Sequence, residues 1–254
     1  MNITAIKTKP ILVGDDLYEV FDQYLPKLEE NSILAVTSKI VSICERSVIK
    51  NDGAVDKHDL IKQEADSYLD VPLSQTYGVT ITIKNNKLVA NAGIDESNGN
   101  GYLILWPHDP FKSATIIWEY LRKKYNLKNL GVIITDSHVI PLQWGTRGRT
   151  LAWCGLEPLK NYIGAPDIFG KKLHMTKASV IDGLAAAAVT VMGEGNEQTP
   201  LTLIKNVPFV RFHDHQPTKV EIDSLTIKPT DDIYAPLLTL LQWHKGKRAA
   251  SVIK

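Results

Sequence analysis

The sequence predicts a mixed α/β protein with a central insertion, and three observations predict it. Residues 32–37 (Ser-Ile-Leu-Ala-Val-Thr) are a short continuous apolar run, the pattern of a strand covered on both faces. Leu17, Val20, Phe21, Tyr24 and Leu25 recur at the spacing of a helix with one buried face. Val79, Ile81 and Ile83 alternate with Thr80, Thr82 and Lys84, and the chain returns after Asn85-Asn86 through Leu88 and Ala90, which reads as a β-hairpin.

The elements follow in order. Residues 3–8 alternate well enough for an edge strand, which Lys9-Pro10 breaks. The first helix starts near Asp15 or Asp16 and ends at Pro26. After the buried strand at 32–37 and a polar stretch at 51–59, a short helix puts Ile61, Ala65, Tyr68 and Leu69 on one face. The hairpin delivers the chain to a turn around Asp95, whose Gly93, Gly99 and Gly101 allow close backbone approach to a ligand. A strand at 102–106 and a loop at 107–110 precede a helix capped by Ser113, with Ile117, Trp118 and Leu121 inward and Arg122-Lys123-Lys124 near its C-terminus, where the dipole favours cations. Residues 131–135 form the strand that carries Asp136 outward. Residues 138–173 are irregular, with five glycines and three prolines, and so long an irregular stretch is more often functional than a mere connector. Thr176 caps the next helix, whose Val180, Ile181, Leu184, Ala185, Ala188, Val189 and Met192 predict burial nearly all round. The small residues 185–188 there suggest close approach of another backbone. A glycine-rich loop at 193–200, strands at 201–204 and 208–212, a helix around 232–243 and a solvated basic end at 245–248 complete the chain, with no internal repeat.

A chain of 254 residues with 44% apolar content is ordinary globular material. Its 29 basic and 28 acidic residues leave a formal charge of +1, so no global field argues for nucleic acid or an anionic membrane, and any anion must be held locally. The first residues lack the apolar core of a signal peptide, and the most apolar window, 180–192, is too short to span a bilayer. Two cysteines, Cys44 and Cys154, make a disulfide framework unlikely and a cytoplasmic location the default; neither sits in a nucleophile signature, so both read as structural thiols.

Four segments carry chemistry. Asn91-Ala92-Gly93-Ile94-Asp95-Glu96-Ser97-Asn98 and Thr135-Asp136-Ser137 each place a carboxylate beside hydroxyl and amide groups in a turn after a strand, which is how hard-cation sites for nucleotide phosphates are built. They read as one metal centre; the plain alternative is that Asp95 and Asp136 bond their own turns. Ser38-Lys39, just past the buried strand, offer a hydroxyl, a cation and backbone N–H groups to a phosphate, or else a helix cap and a solvated lysine. The loop Gly193-Glu194-Gly195-Asn196-Glu197-Gln198-Thr199-Pro200 can hold a cation and bring its backbone to phosphate oxygens, or serve as a helix C-cap and surface loop. It is not a dinucleotide fingerprint, because it joins helix to strand and lacks the third glycine. His213-Asp214-His215 has no third ligand at recognisable spacing and reads as an exposed loop.

Together these segments resemble one family, the γ-glutamyl ligases typified by coenzyme F(420)-0:L-glutamate ligase. The matching pieces are Val36-Thr37-Ser38-Lys39-Ile40-Val41-Ser42, residues 91–98, Thr135-Asp136-Ser137, Gly155-Leu156-Glu157-Pro158-Leu159, Asp167-Ile168-Phe169-Gly170, Ala185-Ala186-Ala187-Ala188 and Val191-Met192-Gly193-Glu194, in family order up to about residue 210. The resemblance implies an α+β fold in two lobes, one made of 1–78 and 178–254 and the other of 79–177, in an intertwined homodimer. It implies a ligase that uses GTP or ATP with Mg2+ or Mn2+ at two sites, and a monovalent cation, to activate a carboxylate as an acyl phosphate that the amine of L-glutamate attacks. By motif, Asp95 and Asp136 would bind one metal, and Ser137 with Glu194 a second. Ser38, Lys39, Asn98, Pro10, Ile11, Gly193, Gly195, Asn196, Glu197, Gln198 and Thr199 would contact the nucleotide.

In the deazaflavin enzymes of that family the aspartate motif leads into an arginine-rich turn. Here it leads into His138-Val139-Ile140-Pro141-Leu142-Gln143-Trp144-Gly145-Thr146-Arg147, Ile43 stands where a lysine is usual, and Ser137 replaces a threonine. With Gly195-Asn196-Glu197-Gln198-Thr199-Pro200, this form looks more like the branch proposed to add glutamate to folates. The acceptor is thus expected to be folate-type or the deazaflavin F(420)-0, and Arg147 is a candidate for its carboxylate. The rival readings are a two-metal phosphohydrolase, which the same acids could support, and a nucleotide–metal binding protein without turnover.

Overall fold

A strand with no polar face has to be covered on both, and β2 (Ser32–Thr37) has its first five residues buried. It is the middle of a five-stranded sheet in the order β1 (Asn2–Ile6), β12 (Leu201–Lys205), β2, β8 (Leu130–Val139), β9 (Thr146–Cys154). Among the described residues β1 pairs with β12 alone, as an edge strand. The computed structural model describes residues 1–71 and 77–248. They divide into two units, the first made of Met1–Arg46, Pro107–Ser137 and Gly145–Pro217 and the second of Ser47–Trp106, His138–Trp144 and the described part of Thr218–Lys254. β8, which the family resemblance puts in the 79–177 lobe, pairs in parallel with β2 from Ser32↔Leu130 to Thr37↔Thr135. Both strands read as apolar runs, and a run says nothing of its partner.

In the first unit, α1 (Leu17–Tyr24) is capped by Asp16, which accepts from the N–H groups of Tyr18 and Glu19, and buries Leu17, Val20 and Phe21 as its spacing predicts. α2 (Ser38–Cys44) follows β2 without a break. α4 (Pro110–Tyr125) begins earlier than expected: Asp109, not Ser113, caps it, accepting from Lys112 N at 3.0 Å, with Pro110 in the first turn, where a missing N–H costs nothing. Ser113 instead hydrogen-bonds the Glu45 carboxylate and the Asp109 carbonyl.

α5 (Val180–Met192) is capped by Ser179 rather than Thr176, which precedes the short strand β11 (Lys177–Ser179). Its burial is confined to one face, through Ile181, Leu184, Ala185, Ala188, Val189 and Met192, while Asp182, Gly183, Thr190 and Val191 are exposed; the apolar composition overstated how much of the helix is covered. The expected close backbone approach is real. A Cβ on Gly148 of β9 would lie 2.3 Å from the Ala185 carbonyl oxygen. On β9, Trp153 meets Phe111 of α4 edge-on at 4.9 Å. Positions five apart in a strand face opposite ways, so α5 and α4 cover the sheet from both sides.

The stretch expected to be irregular contains all of β9, nine residues long, and β10 (Leu159–Asn161), which pairs with β11. Glycine 148 and two arginines hid the period of β9, yet Gly148 to Cys154 are all buried. Residues 208–212 form no strand; only Phe212 bridges to Leu156. Cys154 is buried and Cys44 half-buried, both free, and burial pushes each thiol up to about 12, as befits structural thiols.

In the second unit β3 (Val48–Lys50) pairs with β7 (Tyr102–Ile104), and β13 (His244–Lys245), β4 (Ser67–Tyr68), β5 (Ile81–Lys84) and β6 (Lys87–Ala90) form a four-stranded sheet. The β5–β6 hairpin turns on Asn85 and Asn86, both at positive φ. α3 (Lys57–Glu64) buries Leu60 and Ile61 with Ala65, Ala92, Ile94, Leu103 and Leu105 in one small core. Lys84 is almost wholly buried, with Nζ 2.8 Å from a Glu64 carboxylate oxygen and 5.4 Å from the Trp106 ring centre. Two short helices, α6 (Lys219–Ser224) and α7 (Ala235–Leu240), follow, the second spanning half the expected 232–243. The basic end is not simply solvated: His244 and Lys245 pair with Tyr68 and Ser67, and Gly246 donates its N–H to the Asp66 carbonyl. No helix among the described residues is long and apolar enough to cross a membrane.

Candidate active site

Parallel pairing brings two candidate segments together. Because β2 and β8 run in the same direction with Thr37 opposite Thr135, their carboxyl ends coincide, and Ser38 and Asp136 emerge side by side. Ser38 Oγ donates to Asp136 Oδ1 at 3.4 Å. The carboxyl ends of parallel strands are where open α/β sheets bind ligands.

The glycine-rich loop returns to the same end. It leaves α5 at Gly193 and enters β12, whose first residue Leu201 is opposite Val36. Backbone bonds tie it down: Thr8 N donates to the Gln198 carbonyl at 2.9 Å and Thr37 N to the Pro200 carbonyl at 3.0 Å. Pro10 and Ile11 are thus only a few residues from the anchored loop. Here Lys9 Nζ donates to Asp15 Oδ1 at 2.7 Å, a bond that raises the lysine's pKa and lowers the aspartate's, whose pKa falls chiefly through the Leu12 N–H.

Glu194 is the most heavily engaged acid of the loop. Ser137 Oγ lies 2.9 Å from each of its carboxylate oxygens, and Thr146 Oγ1 donates to Oε1 at 3.0 Å. Within the loop, Gly195 N donates to Glu197 Oε2 at 2.8 Å, and the Glu197 carboxyl group fills the space that a Cβ on Gly193 would need. Gly193 has φ +78, a conformation that favours glycine. Thr199 Oγ1 donates to the Met192 carbonyl, while Asn196 and Gln198 are exposed.

Thus Ser38, Asp136, Ser137 and Glu194 are assembled at one end of the first unit's sheet. The set offers carboxylates and hydroxyls only, a hard-oxygen donor set that fits Mg2+ or Mn2+ and would suit a soft metal poorly. Lys39, at the second position of α2, is half-buried.

Asp95 and Asn98 lie in the second unit. Asp95 Oδ1 accepts from the N–H and the hydroxyl of Ser97 at 2.7 and 2.8 Å, and its backbone pairs with Ile104, so the carboxylate is presented from a bonded turn. Neighbouring Glu96 accepts from Lys57 and Asn51, which anchors the turn. Of the three glycines expected to admit a ligand there, Gly93 and Gly99 serve internal packing instead, whereas a Cβ on Gly101 would meet open space. A Cβ on Gly93 would fall 2.2 Å from the Trp106 indole nitrogen, and one on Gly99 2.3 Å from the Tyr102 carbonyl oxygen.

Three participants were not singled out from sequence. Arg149 is buried, with Nη2 3.9 Å from Asp136 Oδ2. Burial pulls its pKa down, and the charges of Asp136 and then Asp182 oppose that. Asp182 is fixed by Thr150 N at 2.9 Å and Ser179 Oγ at 3.0 Å, and Thr146 completes the cradle of Glu194. Arg147, the arginine that sequence favoured, is exposed. The two arginines, two apart, share a face of β9, and position along the strand separates them: Thr146 and Arg147 form its exposed start, whereas Arg149 lies in the buried run from Gly148 to Cys154. His213 and His215, by contrast, stack on one another with ring centres 4.0 Å apart, and each Nδ1 lies 3.0 Å from a nearby backbone carbonyl oxygen.

The sequence model of a family described as F420-0:Gamma-glutamyl ligase matches residues 5–206. Curated relatives named coenzyme F420:L-glutamate ligase align along most of their length. That of Methanococcus maripaludis is 32% identical over 222 residues, covering 81% of this chain and 88% of the relative. That of Methanopyrus kandleri is 30% identical over 240 residues, covering 87% and 92%. That of Methanocaldococcus jannaschii is 30% identical over 219 residues, covering 79% and 86%.

Proposed function

The chain belongs to the F420-0:gamma-glutamyl ligase family, and from that premise we propose that it is an amide-forming ligase that joins L-glutamate to the terminal carboxylate of a cofactor precursor. The observation that carries this reading is the assembly of Ser38, Asp136, Ser137 and Glu194 at the carboxyl ends of β2 and β8, next to the anchored 193–199 loop. Asp136, Ser137 and Glu194 hold divalent metal, and Asp95 and Asn98 of the second unit keep the metal and nucleotide roles that the family resemblance assigns them. A bound Mg2+ or Mn2+ supplies charge neutralisation at phosphate oxygens, which phosphoryl transfer requires.

The chain's own groups bind and orient. Ser38, Lys39 and the backbone of 193–199 hold the triphosphate of GTP or ATP, with Pro10 and Ile11 against the nucleotide. An oxygen of the acceptor carboxylate attacks the terminal phosphorus, and the nucleoside diphosphate leaves. The glutamate amine then attacks the acyl carbon of the resulting acyl phosphate, inorganic phosphate departs, and the amine gives up a proton as the amide forms. No protein nucleophile is needed, in keeping with two thiols held protonated. The family description and the relatives' name favour the deazaflavin F420-0 as acceptor. The residues that follow Ser137 favour a folate-type acceptor, whose carboxylate the exposed Arg147 would meet. Two free cysteines suit a reducing cytoplasm.

The test is to incubate the protein with Mg2+ or Mn2+, each triphosphate, L-glutamate and either acceptor, and to weigh the product. One added glutamyl unit, dependent on glutamate and acceptor, is expected; phosphate release without either would indicate the phosphohydrolase, and nucleotide binding without release the non-catalytic binder.

We also propose the homodimer that the family resemblance implies. Ile168, Phe169 and Met175, between β10 and β11, are about nine-tenths exposed, an apolar surface that a second copy would cover. Light scattering at micromolar concentration is expected to give twice 28.3 kDa; a monomer mass would contradict the dimer.

A further inference from the structure

Resting on the reading of Asp136 as a metal-binding residue, we propose that Arg149 is the positioning residue of that carboxylate. It fixes Oδ2 so that Oδ1, beside Ser38, is the oxygen offered to the cation. Arg149 comes from β9, next to β8, and its side chain is only 10% exposed against 19% for Asp136. An exposed ion pair holds little, because both partners are free to turn into water. Here the guanidinium is buried by the sheet, and Asp182 adds a second negative charge that favours its charged form. Asp182 is itself held by Thr150 N and Ser179 Oγ, so this second charge is fixed in place. The two oxygens of Asp136 are therefore unequal: Oδ2 faces Arg149 at 3.9 Å, and Oδ1 faces the Ser38 hydroxyl at 3.4 Å. A carboxylate constrained in this way presents one oxygen in one direction. Groups that orient a ligand from behind commonly change metal affinity or activity by about 10- to 100-fold when removed.

The experiment titrates Mn2+ alone into the full chain by electron paramagnetic resonance, with far-ultraviolet circular dichroism as the folding check. Arg149→Met is expected to bind Mn2+ about 10- to 100-fold more weakly and to ligate correspondingly more slowly, while Arg149→Lys recovers most of the affinity. Wild-type Mn2+ affinity in folded R149M would overturn the proposal, since a merely structural arginine would change stability alone. Tighter Mn2+ binding would overturn it too, because the guanidinium would then be a competing cation. Should R149M not fold, Arg149→Gln keeps a polar amide but loses charge and reach, and the same two outcomes decide. Asp136→Asn separates this inference from the reading beneath it. If it loses Mn2+ while R149M and R149Q bind normally, only the role of Arg149 fails; if it too binds Mn2+ normally, the reading of Asp136 fails.

Discussion

Asp136→Asn is expected to lower the ligation rate by about 100- to 1000-fold, the usual cost of removing one preorganised electrostatic group from a reacting site, while the protein stays folded. The substitution keeps shape and hydrogen-bonding capacity and removes one negative charge. That charge sits at the carboxyl end of β8, beside Ser38 Oγ, with Ser137 next in the chain and bonded to Glu194. On the metal role proposed for Asp136, losing that charge would weaken the hold on divalent metal and so the neutralisation of phosphate oxygens as charge redistributes in the transfer. The structural penalty is limited. The partner guanidinium is 3.9 Å away, and Asp182 remains to oppose the cost of its burial. Steady-state ligation with the product weighed, together with thermal unfolding, checks both halves: a rate within a few-fold of wild type in the folded variant would remove Asp136 from the chemistry.

Gly155→Ala is expected to cost about 4 kcal/mol of stability, and the effect does not depend on any functional reading. Gly155 follows β9 with φ +79, a conformation that costs an L-residue with a side chain roughly 1–2 kcal/mol. A Cβ there would lie 2.2 Å from both the Leu130 carbonyl oxygen and the Trp118 indole nitrogen. Those two groups are hydrogen-bonded to each other at 2.7 Å, so neither can withdraw without breaking a buried bond. Overpacking costs roughly 1–3 kcal/mol, and the upper end applies where the obstacle is backbone. The sum is a large share of the roughly 5–15 kcal/mol that holds a domain together. Urea unfolding measures it, and a loss below about 1 kcal/mol would mean that the turn relaxes at little cost.

The elements written most clearly in the sequence were those whose own side chains decide them. The unbroken apolar run of β2 needs cover on both faces, and the period of α1 sets its buried side without reference to anything else. The candidate site was legible as segments but not as an assembly. Ser38 and Asp136 are 98 residues apart, and only the parallel register of β2 with β8 makes them neighbours. β9 is not legible in the sequence because Arg147, Gly148 and Arg149 break the apolar alternation, although Arg149 is buried in the strand. Ser113 and Thr176 carry the hydroxyls that suit a helix cap. The chain used Asp109 and Ser179 instead, each immediately before the first helical residue. The end at 245–248 looked solvated from its charges, whereas backbone pairing with Ser67 and Tyr68 placed it, and side-chain charge carries no record of that.

The most direct test of ligation is the mass of the acceptor after incubation with the purified protein, Mg2+ or Mn2+, a nucleoside triphosphate and L-glutamate. An increase of one glutamyl residue is expected, matched by release of one phosphate and absent when glutamate is withheld. An unchanged acceptor mass with every combination of triphosphate, metal and acceptor, or phosphate release that ignores glutamate, would contradict it.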